Sequence, residues 1–100
     1  MATVQTSYER SDIRLEILRI LANCPQYTAN QETLIKSLKD KGHVISRDQL
    51  HIELCWLEQT AAAIIDKVSG GVHIAILTLE GQEIADGVRV IPGISRPLPE

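Results

Sequence analysis

An α+β fold is what this 100-residue sequence predicts, on three observations. Up to Gln59 the apolar residues recur at three- and four-residue steps, in runs that each begin beside a residue able to cap a helix. From Ala63 two apolar runs flank Ser69-Gly70-Gly71, the pattern of two strands joined by a tight turn. Thr78 opens one more short helical run, after which prolines stand at 92, 97 and 99. A chain of this length has room for a single core. Residues 1–87 are read as the folded domain and residues 88–100 as an extended tail, packed on the domain or on a partner.

The first helix starts at Ser7 or Ser11 and carries Ile13, Ile17, Ile20 and Leu21 as its apolar stripe. It stops at Asn23-Cys24-Pro25, because a residue before proline avoids helical geometry. The second runs from about Ala29 to Lys41. Thr28 and Gln31 have capping-box spacing, Leu34, Ile35 and Leu38 form the inner side, and Gly42 stands where a left-handed cap is wanted. The third, SRDQLHIELCWLEQ, starts at another capping box, Ser46 with Gln49, and turns Leu50, Leu54 and Leu57 inward. Its other side carries Arg47, Asp48, Gln49, Ile52, Cys55, Trp56 and Gln59, with Glu53 and Glu58 at the margins. Ala63 to Val68 and Val72 to Leu77 make the hairpin, and the fourth helix runs from a Thr78 cap through Leu79, Ile84 and Ala85 to Asp86-Gly87.

Apolar content of 44% with three aromatics and no Phe describes the aliphatic interior of a soluble globular chain. No run approaches the ~18 apolar residues of a membrane span, and the first residues lack the features of a signal peptide. A cytoplasmic protein with no membrane partner is therefore expected. Cys24 and Cys55 form no C-x-x-C pattern and are read as small buried thiols. No Gly-rich phosphate loop and no Ser–His–Asp or Cys–His pattern occurs, so no enzyme activity, cofactor or small-molecule substrate is expected. His51 and Cys55, four apart on one helix, supply half a metal site, and two ligands do not hold a structural metal.

Net charge −3 gives no global attraction to nucleic acid, so any DNA binding depends on local cations. From His43 to Gln59 one arginine stands against Asp48, Glu53 and Glu58. Arg47 and Gln49 at the start of that helix, followed by His51, have the chemistry to meet base edges, and Lys36, Lys39 and Lys41 have the chemistry to meet phosphates. Lys67 and His73 are the potential cations of the hairpin. Two apolar sets are candidate interfaces. Ile52 and Trp56, with Cys55, lie off the Leu stripe and call for cover by Ile91, Ile94 and Leu98 of the tail or by a partner. Tyr8, Leu15 and Ala22 recur every seven residues on the first helix, the spacing of a helix-to-helix seam, so a homodimer is expected.

Three helices, a hairpin and a short fourth helix resemble a winged helix-turn-helix domain, and Ile76-Leu77-Thr78-Leu79-Glu80-Gly81-Gln82-Glu83-Ile84-Ala85 resembles the step from second wing strand to next helix in such regulators. More narrowly, Gly42-His43, Ser46-Arg47-Asp48, Leu54-x-Trp56-Leu57-Glu58, the Thr78–Gly81 step and Gly93-x-x-Arg96-Pro97 are similar to a family of short proteins of Mu-like phages and prophages, over roughly residues 13 to 97. Its members are commonly labelled ArsR-like winged-helix transcriptional regulators, which implies a DNA-binding regulator of phage origin. The alternative is a winged-helix module that binds another protein and no DNA. One departure concerns the junction before the hairpin. Where such chains commonly have Gly-Leu, this one has Gln59-Thr60-Ala61-Ala62-Ala63, so the third helix is expected to run on by several residues.

Overall fold

The computed structural model describes residues 7–68 and 70–97. Ser69 of the hairpin turn and Leu98 and Pro99 of the tail lie outside the described residues, as does the side chain of Ser7. Four α-helices and one three-stranded sheet make up the described part, in the order α1 (Ser7–Ala22), a turn at Pro25–Tyr27, β1 (Thr28–Asn30), α2 (Gln31–Asp40), α3 (Arg47–Gln59), β2 (Ala63–Val68), β3 (Val72–Leu77) and α4 (Leu79–Ala85). The sheet is antiparallel with strand order β1-β3-β2. The α+β expectation therefore stands, and α1 begins ahead of Ser11, which lies inside it.

β1 is the element that sequence periodicity does not announce. Thr28, Ala29 and Asn30 pair with Ile76, Ala75 and Ile74, so Thr28 is spent on the sheet and cannot cap the helix that follows. Asn30 takes that role, its side chain accepting from the Thr33 N–H at 2.9 Å, and α2 starts at Gln31. Three residues are too short a run to show a period of two.

α3 begins where its sequence places it, with Ser46 Oγ accepting from the Gln49 N–H at 3.0 Å. The reciprocal half of the capping box does not form, because the Gln49 amide donates to the Glu53 carboxylate one turn further on. α3 also ends at Gln59 rather than running on. The Ala62 N–H reaches back to the Leu57 carbonyl (2.9 Å) and the Ala61 N–H to that of Glu58 (3.1 Å), the paired bonds of a Schellman motif. α2 and α4 close on the same pattern through Gly42 and Gly87. At α3 the left-handed position is Ala61, at φ 64°, so the stop forms without its usual glycine and against a steric cost.

Leu34 and Leu38 of α2, Leu50, Leu54 and Leu57 of α3, and Ile13, Ile17, Leu18 and Leu21 of α1 meet in one core, floored by Ala63, Ala75 and Leu77 of the sheet. Each such leucine or isoleucine contributes about 1.5–3 kcal/mol by leaving water. α4 docks against the α3–β2 junction. Thr78 accepts from the Gly81 N–H at 3.0 Å and donates to the Ala61 carbonyl at 2.6 Å, and a Cβ on Gly81 would collide with the Ala62 carbonyl oxygen. Beyond α4 the described residues of the tail carry no regular structure and cross α1, where the Ser95 N–H donates to the Ser11 carbonyl (3.3 Å) and Ile94 is buried.

Candidate functional site

α3 has two working sides, and the inner one is charged. Glu53 follows Leu50 by three residues and precedes Leu57 by four, so helical geometry sets it within the apolar face, where it is fully buried. Arg14 Nε donates to one carboxylate oxygen at 2.8 Å, Arg10 Nε to the other at 3.0 Å, and the Gln49 amide adds a third bond. Such a buried ion needs this much pairing, since an unpaired one costs several kcal/mol. Arg14 continues outward: its guanidinium carbon stands 4.0 Å from the Trp56 ring centroid and its Nη1 donates to the Gly93 carbonyl at 2.9 Å. One chain of polar contacts thus joins α1, α3 and the tail.

The tail covers part of what the sequence assigns to it. Gly93, at φ 96°, presses on Trp56 so closely that a Cβ would lie 2.5 Å from the ring, and Trp56 is half-buried. Ile52 stays 52% exposed, and Cys55 is exposed rather than buried. A glycine covers a ring by letting backbone approach it, and it brings no side chain to spread over neighbours.

On the outer side the predicted DNA-facing residues fall into two groups. Arg47 Nη2 is paired with Glu32 Oε1 at 2.7 Å, both side chains largely in water. Lys36 and Lys39 follow Glu32 by four and seven residues, on the same exposed face of α2. Lys41 turns toward α1, its Nζ 3.7 Å from Glu16, and Gln49 is turned to Glu53. The second group joins α3 to the hairpin. His51 Nε2 meets Gln31 Oε1 at 2.8 Å, the same oxygen accepts the His73 N–H at 2.9 Å, and the two imidazoles stack with centroids 3.8 Å apart. Lys67, exposed on β2, lines the small cleft beside them, about 80 Å³, together with Cys55 and Glu58. His51 titrates below its ordinary value, chiefly through burial and then through His73, with Arg47 and Lys67 adding and Asp48 opposing. Among the described residues no three His, Cys, Asp or Glu side chains converge as a metal site.

The seam on α1 is not continuous. Tyr8 is 84% exposed, but Leu15 is 6% exposed within the core and Ala22 packs against it. Leu15 cannot serve as the centre of an intermolecular stripe because α4 and the tail sit on α1 and enclose its second side. A broad cleft of about 810 Å³ opens instead between the start of α1 and the α2–α3 turn, lined by Arg10, Ile13, His43, Val44, Gln49 and Ile52 among others.

Sequence reasoning missed Arg10, Arg14, Gln31 and the inward turn of Glu53. The signal was present for two of them. Arg14 precedes Leu18 by four and Leu21 by seven, and Glu53 sits between Leu50 and Leu57, so both occupy core positions by spacing. A charge read as automatically exposed conceals that placement.

No family model and no solved structure matches the sequence. The chain is similar to the uncharacterized protein gp26 of Escherichia phage Mu, with 34% identity over 88 residues, which span 88% of this chain and 90% of gp26. It is also similar to an uncharacterized protein of Haemophilus influenzae, 36% identical over 67 residues, or 67% of this chain and 65% of that protein. Among the described residues no helix is long and apolar enough to cross a membrane. With nine-tenths of the phage protein covered at this identity, the chain belongs to the family of phage Mu gp26.

Proposed function

We propose that this protein is a winged-helix regulator of phage origin that binds duplex DNA with the first two turns of α3, flanked by α2 and the β2–β3 hairpin. The arrangement of helices and sheet is compatible with that fold, in which the groove-entering helix uses its N-terminal residues. The observation that carries the reading is the inward turn of Glu53. Neutralised by Arg10 and Arg14, it no longer opposes phosphate, and the outer side of the first two turns carries Arg47 against Asp48, with Lys36 and Lys39 exposed on α2 along the face that carries Glu32. Among the described residues Arg47 is held by an exposed pair to Glu32, worth at most about 1 kcal/mol, which a phosphate or a guanine edge can replace.

Selection from random-sequence duplex DNA tests this. A reproducible motif should emerge with the unaltered protein and lose definition with Arg47→Ala, while Lys36→Glu should weaken retention of every sequence alike. Recovery of no enriched sequence at low salt would set the reading aside. A second reading, a module that docks another protein, is favoured by Val44 at 76% and Ile52 at 52% exposure on the wall of the broad cleft. Ile52→Ser separates the two, since it spares phosphate contacts and removes an apolar anchor.

A further inference from the structure

The junction of α3 with the hairpin is built from two groups that can each take a proton and that leave no room for two. We propose that the stacked His51–His73 pair is an acid-sensitive latch that holds the hairpin against α3 when neutral and releases it when charged.

Gln31 Oε1 can only accept, so His51 Nε2 donates to it and carries a hydrogen in either protonation state, while the same oxygen accepts the His73 backbone N–H. Two other features of the cluster make the neutral state the closed one. First, His73 Nδ1 is buried and meets no hydrogen-bond partner. In the neutral ring it can remain a bare lone pair, whereas protonation would place an N–H⁺ there with nothing to accept it, the costlier of the two states. Second, the ring centroids lie 3.8 Å apart with the planes tilted by 34°, where a second positive charge repels the first across a short gap. The charged groups around the pair are Arg47, Asp48 and Glu58 of α3 and Lys67 of β2, with the Cys55 thiol lining the same cleft. Asp48 opposes the effect and Arg47 and Lys67 reinforce it, and burial acts in the same direction. α2 contributes the uncharged Gln31 alone to the shared bonds.

The linkage has a definite sign. A histidine whose folded form titrates below its unfolded value keeps the closed state intact above pH 6.5, and protons pull the junction open as the pH falls below it. The hairpin is joined to the rest of the sheet through β1, so opening is expected to loosen β2 and the turn while the β1–β3 pairing persists.

Amide hydrogen exchange read residue by residue tests the latch. Corrected for intrinsic rates, protection of the His73 amide should fall about tenfold between pH 7.5 and pH 5, while the Ala75 amide should hold. The variant His51→Phe with His73→Phe keeps the stacking and should abolish the pH dependence; the single His51→Gln, which retains a donor for Gln31, should reduce it. A fall that persists in both variants, or equal loss across all three strands, would overturn the proposal.

Discussion

Ala61 occupies the left-handed stop of α3 without the glycine that the same stop uses at Gly42 and Gly87. Its Cβ opposes the following carbonyl at φ 64°, so Ala61→Gly should raise stability by about 0.5–1 kcal/mol, and Gly42→Ala at φ 91° should lower it by a similar amount. Urea unfolding of the two variants checks both signs. The opposite extreme is Glu53, fully buried with Arg14 at 2.8 Å. Glu53→Gln leaves the buried Arg14 charge without its counter-ion and should cost on the order of 3 kcal/mol, a large share of a small domain's stability. Single residues such as these were only half legible. The spacing of Glu53 declares it inward, but no rule of periodicity says that two arginines from another helix will meet it there.

At the scale of elements, helices were legible where they carry their own start or stop. Ser46 and Thr78 cap as their chemistry dictates, and Gly42 and Gly87 stop α2 and α4. β1 was hidden, since three residues gain their strand character only from β3 beside them. The tail was legible as cover for Trp56 but not in its means, because its hold comes from a backbone carbonyl at Gly93 and from close approach to Trp56, whereas the sequence points to the side chains of Ile91, Ile94 and Leu98. Gly93→Ala should therefore displace the tail: Trp56 emission should move to longer wavelength, and stability should fall by about 1–2 kcal/mol as Ile94 loses cover. An unshifted spectrum would mean that the tail tolerates the added methyl and is not pressed on the ring.

At the scale of the whole molecule, the enclosure of α1 changes what an oligomer could be. Leu15→Glu would place a charge in the core and should unfold the chain rather than release a folded monomer, which circular dichroism and sedimentation distinguish. Any association surface must then use residues still exposed, such as Tyr8, Val44 or Ile52. Overall charge says little about the outer side of α3, because a net charge of −3 is a sum over the chain, while the fold gathers Glu53 with Arg10 and Arg14 on the inner side and leaves Lys36, Lys39 and Arg47 outward.

Whether that local surface engages phosphate is measured by fluorescence anisotropy of labelled duplex DNA across a salt series, with the unaltered protein and the double variant Lys36→Glu, Lys39→Glu. Each phosphate contact contributes about 0.9 to the slope of log affinity against log salt, so the variant should bind more weakly with a slope shallower by about two. Binding with an unchanged slope, or no binding by the unaltered protein at low salt, would contradict the account.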